Sequence, residues 1–265
     1  MAAAEPALSA LVEQGAALCA SDGDGGFLRL LEENRALLET SLNGDAGCFP
    51  MLILDAAFPA LLQIYEQRGI PESILAATLE EFDEKTTEFY EKHGRGGLLR
   101  PGWFLGHMQG RLFQIGRLQY MVNQKCGFAH EALAADDNVL QIHVTAKGRL
   151  DPEACRKSMD DAVAFAARHF PERDYKAFTL CSWLLDEQLE ELLPPGSNII
   201  RFSRLFTRVP GESDAGPVVY NWIFGFDKQQ EDYRSHIPQT SLQAGARKLL
   251  DEGRWFKNRM GFILI

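Results

Sequence analysis

The stretch Leu140–Met159, LQIHVTAKGRLDPEACRKSM, decides how the second half of the chain is read. Its opening residues, with Val139 before them, alternate. Val139, Gln141, His143 and Thr145 fall on one face of an extended strand, and Leu140, Ile142 and Val144 on the other. At Asp151-Pro152-Glu153 the pattern changes to a helix start: Asp151 can cap the first free N–H groups, Pro152 suits the first helical position, and Glu153 puts negative charge at the positive end of the macrodipole. Between strand and helix lies a short basic loop, Thr145-Ala146-Lys147-Gly148-Arg149, with one glycine and two cations. Free backbone N–H groups in such a loop can hold a phosphate-like anion. The plainer reading is a strand turning into a helix, and Glu153 would oppose an incoming anion.

Gln141, His143 and Thr145 on one face of a central strand need polar partners, which a ligand, neighbouring helices or ordered water can supply. A helix from Pro152 to about Phe170 leads to a second strand, YKAFTLCSW, in which Thr179, Cys181 and Trp183 share a face, and this strand runs into a short helix, DEQLEELL, capped around Asp186. Cys181 together with His143 admits a thiol-nucleophile reading, because thiolate chemistry needs an adjacent base. A cysteine is equally a small buried hydrophobe.

Farther out, the period predicts strands at RLFQIGRLQYMVN, with Gly116 and Arg117 marking a bulge, and at NIIRFSRLFTRV and VVYNWIFGF. Arg201, Ser203 and Arg204 then read as polar residues discouraging unwanted pairing along a sheet edge. A last helix covers Ser241 to Glu252, and MGFILI closes the sheet. Upstream the chain reads as helices: Leu8, Leu11, Val12 and Leu18 form one stripe, and Phe27, Leu30, Leu31, Leu37 and Leu38 another after the break Ser21–Gly26. A buried helix follows over Cys48–Arg68, and a well-punctuated one runs from Pro71 to Gly94. Trp103, Phe104, Phe113 and Tyr120 read as packing between the halves. The fold class is α/β (α+β), with a mainly helical domain over 1–136 and a sheet domain over 137–265.

At 265 residues the chain can build a sizeable core. Its 27 basic and 37 acidic residues give a net charge of −10, which argues against nucleic acid and anionic membranes as partners. The cysteines, Cys19, Cys48, Cys126, Cys155 and Cys181, stand singly, and the histidines show no ligand spacing, so neither a metal site nor a disulfide framework is expected. The N-terminus has no basic region, and no apolar run approaches the roughly 20 residues that span a bilayer. The expectation is a soluble, cytoplasmic protein.

The order of strand, loop with backbone donors, helix, strand, second helix and final antiparallel pair resembles the later part of the GNAT acyl-CoA N-acyltransferase fold. More closely, IHVTAKGRLDPEACRKSMDDAVAFAARHFP with CSWLLDEQLEELLPPGSNIIRFSRLF is similar to the GNAT-like C-terminal domain of a bacterial acyltransferase family, in which a helical N-acyltransferase domain comes first. The resemblance implies a mixed, mostly antiparallel sheet flanked by helices. The strands at 139–145 and 177–183 would splay to admit the pantetheine of acyl-CoA as co-substrate, and Val144, Thr145, Ala146, Lys147, Gly148 and Arg149 would receive its pyrophosphate.

It further implies direct transfer of an acetyl or other short acyl group to a small-molecule amine, with a hydroxyl or thiol protonating the departing sulfur; His143 is a candidate base and Tyr220, on the following antiparallel strand, a candidate acid, and either can equally be a core residue with a hydrogen-bonded polar tip. Two departures support an alternative, a non-catalytic binding module that has lost its donor. The loop has one glycine where GNAT proteins carry Q/R-x-x-G-x-G/A, and the helix at 186–193 has no tyrosine. A third reading makes Cys181 the nucleophile of a thiol hydrolase.

Overall fold

A computed structural model describes residues 4–20, 24–34, 46–145, 147–216, 218–225, 233 and 235–265. The chain divides into two compact units, 1–113 and 114–265, so the hairpin preceding residue 136 goes with the sheet rather than with the helices.

The first unit contains α1 (Ala4–Ala20), α2 (Asp24–Glu33), α3 (Phe49–Arg68) and α4 (Glu72–His93). Both long helices end as their sequences suggest. Gly69 and Gly94 take left-handed φ of 62° and 66°, and their N–H groups bond back to Glu66 and Tyr90 carbonyls. By length and composition α3 could cross a membrane, which the sequence reading did not anticipate. Phe49, Ile53, Leu54, Leu61 and Tyr65 of this helix are buried, Met51, Leu52 and Leu62 are exposed, and Asp55 and Pro59 interrupt the apolar run. A methyl group on Gly15 would stand 2.5 Å from Ile53 Cδ1, so the glycine lets α1 close on α3.

Trp103 and Phe104 pack within this unit: Trp103 Nε1 donates to Glu81 Oε1 at 3.1 Å, and the Phe104 ring lies 3.9 Å from Phe82. Glu81 Oε2 also lies 3.3 Å from Nε2 of the buried His107. Leu37, Leu38 and Ser21 to Gly23 lie outside the described residues.

The second unit is a six-stranded sheet in the order β1-β2-β3-β4-β6-β5. Its strands are β1 (Leu112–Ile115), β2 (Leu118–Lys125), β3 (Asn138–His143), β4 (Tyr175–Ser182), β5 (Thr207–Asp214) and β6 (Lys257–Leu264). Pairing is antiparallel for β2 with β3, β4 with β6, and β5 with β6; β3 and β4 are parallel. A parallel pair needs a long crossover, and α5 (Pro152–His169) supplies it.

RLFQIGRLQYMVN is therefore two strands joined by the two-residue turn Gly116-Arg117, with Gly116 at φ 61°. The irregularity expected at that turn lies instead between Met121 and Gln124, where Asn123 has φ 64°. On one face of the sheet, Tyr120 pairs with Ile142 and packs its ring 5.7 Å from Phe178. The buried Ser158 of α5 ties the helix to this face: its hydroxyl accepts from Leu118 N at 3.1 Å, meets the Tyr120 hydroxyl at 2.9 Å and donates to the Ile115 carbonyl.

Two predicted strands are corrected. NIIRFSRLFTRV begins as the helix α7 (Asn198–Ser203), which follows α6 (Gln188–Leu192), and becomes strand only from Thr207. Ser197, directly after Pro-Pro-Gly, caps it by accepting from Ile200 N at 3.3 Å. Arg201 and Ser203 are accordingly on a helix, and Arg204 is its C-cap. VVYNWIF is the helix α8 (Val218–Phe224). Val219, Tyr220, Ile223 and Phe224 are buried at helical spacing against Leu249, Leu250 and Phe256, and this packing overrides the strand preference of β-branched and aromatic residues. Leu249 and Leu250 come from α9 (Ser241–Asp251), and Phe256 immediately precedes β6.

Candidate functional site

The neighbouring parallel strands part company halfway along. Their ladder runs Asn138↔Tyr175, Val139↔Ala177, Leu140↔Phe178 and Gln141↔Thr179, and ends there. β3 continues to His143, held by Gln119 of β2, and β4 continues to Ser182, held by Arg259 of β6. Beyond Gln141 and Thr179 each strand keeps only its outer strand neighbour, so the backbone N–H and C=O groups of the two inner edges have no ladder across the wedge between them. Such groups demand partners, and an extended, amide-bearing ligand can supply them as an added strand does.

Cross-strand partners share a face, so Gln119, Gln141, His143, Thr179 and Cys181 all project from the face opposite Tyr120, Phe178 and α5. His143 and Cys181 thus flank the opening from its two sides. His143 is half-buried and Cys181 exposed. Desolvation pushes the Cys181 thiol above its ordinary value, which keeps it protonated. That makes it a poor thiolate nucleophile and leaves it able to donate a proton. Trp183 opens a 3₁₀ turn, Trp183–Leu185, and its ring packs 5.3 Å from Phe256, with the apolar cluster around Tyr220 and Leu249.

At the mouth of the wedge the chain leaves β3 through Val144 and Thr145 and reaches α5 through an exposed Lys147-Gly148-Arg149 loop; Thr145 is buried, and Ala146 lies outside the described residues. Gly148 has φ 71°, a left-handed geometry that glycine adopts without strain. Asp151 caps α5 as expected, its Oδ1 accepting from Glu153 N at 3.1 Å and Ala154 N at 2.9 Å. The helix end is therefore already served by a carboxylate, and any anion-binding capacity shifts to the loop. Among the described residues, the N–H groups of Gly148, Arg149 and Leu150 have no acceptor.

Sequence reasoning missed Arg117. From the β1–β2 turn its Nε donates to the Arg149 carbonyl at 2.8 Å, and its Nη2 to the Gly148 and Thr145 carbonyls at 3.1 and 3.3 Å. Burial lowers its pKa, but a guanidinium stays charged. Only a Gly-Arg pair between two apolar runs could have drawn notice to it.

Tyr220 is not brought to the wedge. It sits on α8, fully buried, stacked 5.5 Å from Tyr233 and edge-on to Trp255 at 5.3 Å, and its hydroxyl has no hydrogen-bond partner among the described residues. Burial, then the Asp186 and Asp214 carboxylates, push its pKa up. Among the described residues no group of three or more His, Cys, Asp or Glu is placed to hold a metal.

The sequence profile of the GNAT-like C-terminal domain matches residues 112–263, and that of the N-acyltransferase N-terminal domain matches 1–110. The chain belongs to this acyltransferase family. Its GNAT-like unit is the one that carries the parted strands. Similar solved structures are an acyltransferase in complex with decanoyl-CoA and teicoplanin (27% identity, TM-score 0.79, covering 98% of this chain and 78% of that one) and an acyltransferase in complex with decanoyl-CoA (29%, 0.72, 82% and 66%). A third is an acyltransferase mutant in complex with octanoyl-CoA (27%, 0.79, 98% and 79%). No curated protein matches the sequence significantly.

Proposed function

We propose that the protein is an acyl-CoA-dependent N-acyltransferase whose donor carries a medium-length acyl chain and whose acceptor is an amine on a large glycopeptide-like scaffold. The observation that supports this most is the parting of β3 and β4 after Gln141 and Thr179, in a chain resembling proteins solved with decanoyl-CoA, octanoyl-CoA and teicoplanin. What those relatives were solved with supports an eight- or ten-carbon chain and a glycopeptide over the short acyl group and small amine expected from sequence.

The chemistry follows from where groups stand. The amides of pantetheine would pair with the inner edges of β3 and β4, and the diphosphate would meet the loop amides at 148–150. An acceptor amine then attacks the thioester carbonyl directly. His143 takes the proton the nitrogen sheds, a backbone N–H at the inner strand edge stabilises the oxyanion, and the thiolate of CoA leaves, protonated by the Cys181 thiol, which regains a proton from solvent as the His143 imidazolium gives its own up. The C–N bond forms as the C–S bond breaks, and no acyl-enzyme is needed. Tyr220 supports apolar packing in this reading. The same geometry favours the enzyme over a module that has lost its donor, because the Trp183 ring packs on Phe256.

Isothermal titration tests it. Micromolar or tighter binding of decanoyl-CoA, and weaker binding of acetyl-CoA, is expected; no heat with either thioester or with CoA at about millimolar concentration, roughly the weak end of measurable affinity, would reject the reading.

A further inference from the structure

Arg117 stands 28 to 32 residues ahead of the three carbonyls it binds, those of Thr145, Gly148 and Arg149. One guanidinium therefore gathers a whole turn of the loop. Among the described residues every peptide bond is trans, and in a trans peptide the N–H points opposite the preceding carbonyl. Turning the Gly148 and Arg149 carbonyls toward Arg117 directs the N–H groups of Arg149 and Leu150 away from it. These are among the N–H groups that have no acceptor among the described residues. Asp151 has meanwhile taken the Glu153 and Ala154 N–H groups at the helix end, so the loop amides are the donors left for an anion.

We propose that Arg117 is a positioning residue for the acyl donor: by clamping the Thr145, Gly148 and Arg149 carbonyls it aims the Arg149 and Leu150 amides at the donor's diphosphate. The inference rests on the acyl-CoA reading and explains how a loop with one glycine still presents an anion site. Arginine suits the task because its planar fork serves several acceptors at fixed angles, whereas lysine offers a single flexible ammonium.

The test compares two thioesters, decanoyl-CoA and S-decanoyl-pantetheine, which lacks the diphosphate, titrated into the full chain and its Arg117→Met and Arg117→Lys variants. Losing one or two charge-assisted hydrogen bonds should weaken decanoyl-CoA binding to Arg117→Met about 10- to 100-fold. Binding of S-decanoyl-pantetheine should stay within about twofold, which lies inside the noise of such comparisons. Arg117→Lys, which keeps the charge without the fork, should lose decanoyl-CoA affinity with the same selectivity, and it supplies the answer should the methionine variant not fold. Equal losses for both thioesters, or no loss for either, overturn the role. Failure of the unmodified chain to bind decanoyl-CoA instead overturns the reading on which the role rests.

Discussion

β4 has two edges, and they differ. Along β6 its ladder is unbroken from Ala177↔Leu264 to Ser182↔Arg259, while along β3 it stops at Gln141↔Thr179. The same strand, with the same side chains, is thus closed on one side and half open on the other. An unpaired backbone group removed from water costs about 1–3 kcal/mol, so a sheet interior that leaves several such groups facing each other forgoes stability that the β6 edge retains. The contrast teaches that one strand can be closed along one edge, where pairing holds the sheet together, and open along the other, where the proposed donor would enter.

Substitutions on the two edges should separate these roles. The largest effect is expected at the open edge: His143→Ala should lower kcat about 10²- to 10⁴-fold with decanoyl-CoA and a glycopeptide amine, while calorimetry finds CoA affinity nearly unchanged. An undiminished kcat would remove His143 as the base. Next comes the closed edge. A side chain on Gly261 of β6 would stand 2.9 Å from Leu185 Cδ1 and 3.0 Å from Phe206 Cβ, so Gly261→Val should destabilise the sheet by about 1–3 kcal/mol. Urea unfolding would show it; an unmoved midpoint would mean that this edge is not where stability resides.

Gly148→Val acts on the mouth of the wedge with the opposite signature. No atom lies within 4 Å of the added Cβ, but φ of 71° becomes strained by about 1–2 kcal/mol. The loop relaxes into another shape, and CoA affinity should fall about tenfold with little change in melting temperature. The smallest effect concerns Cys181. Because its thiol is pushed above 9.0, the thiolate fraction at any given pH is less than that of a free cysteine. Iodoacetamide should therefore label it slowly at about pH 8, faster as pH rises. A labelling rate already at its plateau below about pH 8 would mark a reactive thiolate and restore the hydrolase reading.

What could be read from sequence was local or periodic. Asp151-Pro152-Glu153 announces α5 because cap, first position and dipole charge all lie within three residues. The shared face of Gln141 and His143, and of Thr179 and Cys181, follows from alternation alone. The segment around Tyr220 was misread as a strand because VVYNWIF is short, β-branched and aromatic. Its helical stripe is explained by a cluster of distant residues that includes Leu189, Leu193, Leu249, Leu250 and Phe256. The partners of Arg117 are as distant, and no local pattern links a turn to a loop that folds over it. The Glu81–His107 contact, 3.3 Å within the helical unit, was likewise hidden, because its two partners lie on different elements of the chain.

Amide hydrogen exchange, with and without saturating decanoyl-CoA, tests the central claim most directly. Residues 142–145 of β3 and its exit, together with 180–182 of β4, should become protected when the thioester binds, while 259–264 of β6, already paired along the closed edge, should not change. Exchange that stays fast in both inner segments at saturation would contradict the account.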